Sequence, residues 1–207
     1  MYIVPEKLIS ELISLKTSYS AVEDVFSAMA KKKAYNFPVI RESIGYSNAL
    51  YGFKSGFDKE GLSLGLKAGG YWPENESMGI PNHQSTIFLF DANTGKISAI
   101  VGGNLLTAFR TAAASSISIN HLARKNSKVL GMIGAGHQSA FQMQAAAQQR
   151  GFEKILGWNH HPEMISRLEQ TAEELGIPYE TVSLDRLGAE SDVIITITSS
   201  FSAILKS

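Results

Sequence analysis

Lys128-Val-Leu-Gly-Met-Ile-Gly-Ala-Gly-His-Gln-Ser-Ala-Phe-Gln-Met143 decides the fold of this chain. A short apolar strand runs into Gly134-Ala-Gly136, and a helix-forming segment follows at once. Such a joint gathers free backbone N–H groups at the positive end of a helix, where phosphate binds. Gly134 supplies the tight turn and Gly136 lets a pyrophosphate approach the backbone. His137 and Gln138 continue the same turn. The third small position is Ser139 rather than Gly or Ala, so the motif alone is weak. Its context is stronger, because a second strand follows at Lys154–Trp158.

Downstream of this joint the order is strand, helix, strand, helix, strand, short helix, strand, which implies a parallel sheet. Pro162 is expected to open the second helix, and Gly151 and Gly176 to end the two longer ones. The last strand is read as Asp192–Thr198. Only the first βαβαβ half of a dinucleotide fold is complete at Ser207, which suggests a truncated chain. Upstream, Leu8, Ile9, Leu12 and Ile13 have helical spacing. Ser20 and Glu23 form a candidate capping box for a second helix with Val22, Val25, Phe26 and Met29 on its apolar face. Lys31-Lys-Lys33 closes that helix as a solvated end. From Phe37 to Val101 the pattern is that of an antiparallel sheet, with a hairpin turn at Asp91–Lys96. A helix rich in alanine and serine is expected from about Thr107 to Arg124. The expectation is an α/β chain with two domains, an α+β domain over 1–125 and the first part of a Rossmann-type domain over 126–207, joined near Ala123–Ser127.

Composition excludes several classes of function. The 207 residues carry 19 basic and 19 acidic side chains, so the basic surplus needed for a nucleic-acid partner is missing. There is no cysteine, which removes disulfides, thiolate nucleophiles and Cys-based metal sites. His160 and His161 are adjacent, unlike a helical metal pair, and no metal is expected. No apolar run approaches the length of a membrane span, and no signal peptide is visible at the N-terminus. A soluble cytoplasmic protein follows as the expectation.

Three cations stand out. With Thr107 as N-cap, Arg110 occupies a first-turn position where a carboxylate is normally favoured, a violation that points to anion binding. The alternative is an arginine folded onto a neighbouring acid. Lys67 shares a strand face with Ser63, Gly65 and Gly69, whose small size leaves room for a ligand. A solvated lysine fits that pattern equally well. Arg41 shares a face with Phe37 and Val39, where a cation needs an anionic partner, either a ligand or an acid such as Glu42. Asn159 ends the second strand of the cofactor domain, where NAD enzymes place Asp or Glu on the ribose. Asn can still bond a ribose hydroxyl, and no Arg follows to take a 2′-phosphate, so NAD is favoured with NADP possible. Thr198, Ser199 and Ser200 fall at the carboxyl edge of the sheet, where ligands bind.

The runs Asn104-Leu-Leu-Thr-Ala-Phe-Arg-Thr-Ala-Ala-Ala-Ser115, Leu122-Ala-Arg124 and Gly131-Met-Ile-Gly-Ala-Gly-His-Gln138 resemble the ornithine cyclodeaminase/μ-crystallin family over essentially the whole chain. Members include cyclodeaminases, alanine dehydrogenases, ketimine and iminosuccinate reductases, and crystallins that act as binding or structural proteins. Lys33-Ala-Tyr-Asn-Phe-Pro38, Gly65-Leu-Lys-Ala-Gly-Gly-Tyr-Trp72 and Asn82-His-Gln-Ser-Thr86 look most similar to the branch that reduces iminosuccinate. The resemblance implies that Arg41, Lys67 and Arg110 hold substrate and that Thr86 and Arg110 contact cofactor. It also implies a homodimer formed through the first domain, and a further segment beyond Ser207 that carries a catalytic Asp in the cyclodeaminase branch. The implied activity is reduction of a dicarboxylic imino acid, with Lys67 as proton donor. His83, beside Thr86, is a weaker candidate.

Overall fold

The computed structural model describes residues 1–200 and 202–205. The chain divides into two compact units, Met1–Thr107 and Ala108–Ser207. The division falls inside a helix rather than at Ala123–Ser127.

The first unit opens with β1 (Tyr2–Val4), a 3-10 turn at Glu6–Leu8, α1 (Ile9–Leu12) and α2 (Leu15–Ala30). The strands β2 (Ala34–Asn36), β3 (Ile40–Ser43), β4 (Leu50–Asp58), β5 (Ser63–Tyr71), β6 (His83–Asp91) and β7 (Ile97–Gly102) complete it. They form one sheet ordered β1-β7-β6-β5-β4-β2, with β3 also on β4. Its pairings are antiparallel except β1 on β7.

Ser14, not Ser20, caps α2. The Thr17 N–H donates to Ser14 Oγ at 3.1 Å, and the Ser14 N–H donates back to Thr17 Oγ1 at 2.9 Å. Ser20 lies inside the helix, and the Glu23 carboxylate instead accepts from the Tyr19 hydroxyl at 3.2 Å. Phe37 and Val39 fall in the link between β2 and β3, so they do not share a strand with Arg41.

Helix α3 (Asn104–Leu122) begins three residues earlier than the sequence suggested, because its first turn is capped from far away. The Glu6 carboxylate accepts the N–H groups of Asn104 at 3.1 Å and Leu105 at 2.6 Å. A carboxylate there satisfies orphan donors and complements the dipole. Thr107 is therefore inside the helix, and Arg110 lies in its second turn rather than its first.

The second unit holds the rest of α3, then β8 (Val129–Ile133), α4 (Ser139–Ala147), β9 (Lys154–Trp158), α5 (Ser166–Glu174), β10 (Tyr179–Thr181), α6 (Leu184–Glu190) and β11 (Val193–Thr196). Its four strands are parallel, in the order β10-β9-β8-β11. Leu130, Met132, Ile155 and Leu168 are fully buried at its core. Such strands, covered on both faces, read as continuous apolar runs. Alanines on α3 allow close packing on α4, where the buried Ser116 hydroxyl donates to the Ala145 carbonyl at 3.0 Å. The buried Arg150 guanidinium binds the carbonyls of Ile119, Asn120, Ala123 and Arg124 at 2.8–3.0 Å, closing the negative end of α3. Gly176, with φ +67°, ends α5 as expected. Gly151 does not end α4, which stops at Ala147, and Pro162 opens a 3-10 turn that leads into α5.

Candidate functional site

In the second unit the strand order reverses at β8, and the glycine turn hangs from its carboxyl end. Ligands bind at such a switch point in open α/β sheets. Gly134 has φ +108°, and a Cβ there would lie 2.5 Å from the Ile197 carbonyl oxygen. Only glycine fits. Its N–H donates to the Trp158 carbonyl at 2.9 Å, tying the turn to β9. Gly136 is different, since a Cβ there would meet nothing within 4 Å. Among the described residues the N–H groups of Gly136, His137 and Gln138 make no hydrogen bond. Open space beside unbonded amides at the start of α4 fits a pyrophosphate. The Gln138 Oε1 atom is buried without a partner, an acceptor suited to a ligand hydroxyl or amide.

Asn159 takes a role that spacing does not show. Its Oδ1 accepts the Ala135 N–H at 3.3 Å, and its Nδ2 donates to the His161 carbonyl at 2.8 Å. The side chain thus braces the turn against the end of β9. The Oδ1 second lone pair remains for a ribose hydroxyl. Thr198 lies against the turn, its methyl 3.1 Å from where a Gly134 Cβ would stand, and Thr198 and Ser199 are exposed. His137 packs edge-on to Phe141 with ring centroids 5.5 Å apart. His160 and His161 are exposed, and His161 Nδ1 lies 3.5 Å from Glu163. Among the described residues no group of three or more His, Cys, Asp or Glu could hold a metal ion.

Arg110 is exposed by accessible area, yet the protein around its guanidinium penalises charge and lowers its pKa from the usual arginine value. It stays a cation at any working pH. Among the described residues it makes no ion pair, so the alternative of a neighbouring acid is not realised.

In the first unit the sheet register sorts the remaining residues by face. Residues directly opposite in an antiparallel pair point the same way, and residues two apart along a strand share that face. Arg41, Gly52, Gly69 and Ser85 form one cross-sheet row. Lys54 and Lys67 form another two residues along, on the same face. Thr86 pairs with Ala68 and Gly102, which puts it on the opposite face from Lys67. The half-buried Lys67 donates from Nζ to the Thr107 hydroxyl at 2.9 Å, and that buried hydroxyl donates to the Gly103 carbonyl at 2.7 Å. Asn104 Oδ1 accepts the Ser85 N–H at 2.8 Å, fixing the start of α3 against β6. Thr107 and Lys54 were not singled out from the sequence. Lys54 was discoverable, because a lysine opposite another lysine follows once the β4–β5 register is drawn. Thr107 depended on a contact across 40 residues.

Among the described residues no helix is long and apolar enough to cross a membrane. Comparison with known proteins adds five findings. The family model "Ornithine cyclodeaminase/mu-crystallin family" matches residues 6–207. Iminosuccinate reductase of Paracoccus denitrificans is 65% identical over 205 residues, covering 99% of this chain and 64% of that protein. Its crystal structure with NAD+ superposes with a TM-score of 0.91 over 98% of this chain and 63% of that one. Thermococcus litoralis Δ1-pyrroline-2-carboxylate reductase, solved with NADH and L-proline, is 31% identical with a TM-score of 0.87, covering 95% and 61%. An archaeal alanine dehydrogenase dimer with bound NAD is 25% identical with a TM-score of 0.90, covering 99% and 62%. This chain therefore spans less than two thirds of the length of these relatives. Two sheets of the expected kinds, the glycine turn and the family match converge: the chain belongs to the ornithine cyclodeaminase/mu-crystallin family.

Proposed function

We propose that this chain is part of an NAD-dependent imino-acid reductase that converts iminosuccinate to L-aspartate. The observation that carries the reading is the row of cations on one sheet face of the first unit, in a chain that also presents an open phosphate turn. The 65% identity to the Paracoccus enzyme supports it. Bound NADH supplies a hydride for the imine carbon. Arg41 and Arg110 offer planar guanidinium forks to carboxylates. Lys67 delivers the proton that the imine nitrogen gains, from an ammonium held at a fixed place by the Thr107 hydroxyl. Gly134 shapes the turn, Gly136 gives the pyrophosphate access, and His137, Gln138, Asn159, Thr198 and Ser199 surround the dinucleotide. The proposed cofactor role of Thr86 finds no support in its place on the face away from Lys67.

A diamine substrate needs an acidic partner for its distal ammonium. The face carrying Lys67 offers cations instead, and Ser47–Ser55 contains no Asp or Glu. A homodimer formed through the first unit is part of the same proposal. Tyr35, Ile40, Tyr51 and Phe53, on the sheet face away from Lys67, are exposed by 37–54% and offer an apolar surface for a second copy. The cysteine-free composition accords with a cytoplasmic setting.

The test is steady-state oxidation of NADH and NADPH by the full-length protein. Iminosuccinate, generated from oxaloacetate and ammonia, is compared with pyruvate plus ammonia. Higher kcat/KM with iminosuccinate and NADH is expected. Preference for pyruvate ends the dicarboxylate reading, and cofactor binding without turnover of any imino acid ends the enzymatic one.

A further inference from the structure

We propose that Lys54 selects a second carboxylate on the substrate, an assignment that rests on the imino-acid reductase reading. Lys54 stands directly across from Lys67 in the β4–β5 ladder and shares a face with Arg41. Like charges placed opposite one another weaken a sheet. Here no acid is interleaved to relieve them. The acids of that face, Asp58 and Asp91, lie at strand ends. Asp58 accepts the N–H groups of Glu60 and Gly61, and Asp91 those of Asn93 and Thr94, each inside its own turn. Among the described residues neither Lys54 nor Arg41 makes an ion pair.

The space around the two lysines is also unusual. The opposed pair Gly52/Gly69 lies on one side of Lys54/Lys67 and the opposed pair Gly56/Gly65 on the other. Glycine is required at these four positions, where a Cβ would meet neighbouring atoms at 2.0–3.0 Å, so no side chain from them screens the ammonium groups. The two lysines are held differently. Lys67 is half-buried and tied to Thr107, whereas Lys54 is exposed and its stem is free to reach. A monocarboxylate engages the fixed end, at Lys67; Lys54 lies on β4, between Lys67 on β5 and Arg41 on β3. A dicarboxylate spans to Lys54 and neutralises the repulsion that the apoprotein carries. The pair of lysines thus favours a dianion over a monoanion.

The experiment uses the full-length, NAD+-loaded protein with succinate and propionate as non-reacting probes, titrated by calorimetry. Lys54→Met is expected to weaken succinate about fivefold more than propionate, the size of one partly exposed charge pair. Lys54→Arg is expected to keep the succinate preference. The ratio of kcat/KM for iminosuccinate over the imine of pyruvate should fall by the same factor in Lys54→Met. Equal weakening of both probes, no change in either, or no succinate binding to the unaltered protein would overturn the assignment. If the unaltered protein prefers succinate through Lys54 yet reduces no imino acid, the reaction reading fails while the dicarboxylate site stands.

Discussion

Gly136→Ala separates ligand fit from fold. A methyl group at this position meets no atom within 4 Å, and its φ lies outside the left-handed region. The substitution therefore adds no strain to the free protein. By narrowing the unfolded ensemble it should stabilise by about 0.4–1 kcal/mol, or roughly 1–4 °C in Tm for a chain of this size. The same methyl occupies the space through which a pyrophosphate reaches the turn amides. Loss of even two charge-assisted bonds, at about 1.5 kcal/mol each, weakens binding by about a hundredfold. Gly134→Ala is the contrasting control. Its φ of +108° and the 2.5 Å approach to the Ile197 carbonyl force the backbone to move, so stability itself falls. The assay pairs thermal unfolding with NADH titration of the full-length protein, read by quenching of the intrinsic tryptophan emission. A Gly136→Ala protein that is stable and binds NADH as tightly as the parent would refute the placement of the diphosphate.

The remaining predictions concern Lys67 and acid stability. Thr107→Val removes the hydroxyl that receives the Lys67 ammonium and should lower kcat/KM about ten- to a hundredfold, as for one hydrogen bond to a charged group. Thr107→Ser should retain activity, both variants should keep the parent NADH affinity, and parental turnover in Thr107→Val would exclude the positioning role. In the second unit Asp192 accepts the N–H groups of Lys128 and Val129 at 2.7 and 3.0 Å and a bond from Arg124, which lower its pKa below 3.8. Hydrogen bonds from Arg186 and Lys154 hold Glu180 down at about 2. Depressed folded-state values mean that this stability is present above the unfolded carboxylate range and is lost as pH falls. Tm should therefore drop between pH 4.5 and about 2, less steeply in Asp192→Asn, and salt should weaken the Glu180 part because that carboxylate is exposed. An identical acid profile in Asp192→Asn would contradict the assignment.

The Rossmann-type half was legible because its signals are local. Strand, turn and helix follow within Lys128–Met143, and the tight turn was marked by its own glycines, although the Ile197 carbonyl that bars a side chain at Gly134 comes from just past β11. The antiparallel half was legible as strands, and the hairpin at Asp91–Lys96 announced itself through Asp, Asn and Gly. What stayed hidden depends on partners distant in sequence. The start of α3 is set by Glu6, 98 residues away from Asn104, so the helix began before Thr107 and Arg110 moved out of the first turn. The end of α3 is set by Arg150, which reads as an ordinary surface cation. Thr86 was expected to contact cofactor, yet the register sets it on the sheet face away from Lys67. Asn159 was expected to serve the ribose, and its use as a brace requires the Ala135 and His161 backbone to be in place.

Glu6 has a consequence for how the first unit meets its ligand. The amides at the start of α3 are a ready seat for an anion, and the chain fills that seat with its own carboxylate. Attraction for substrate in this unit then falls to long side chains on an open face, whose charge reaches outward through solvent. Encounter rates should therefore slow markedly as ionic strength rises, because such fields fade within about 10 Å in ordinary buffer. On the reductase reading proposed above, the substrate is drawn in by a field that salt can dim.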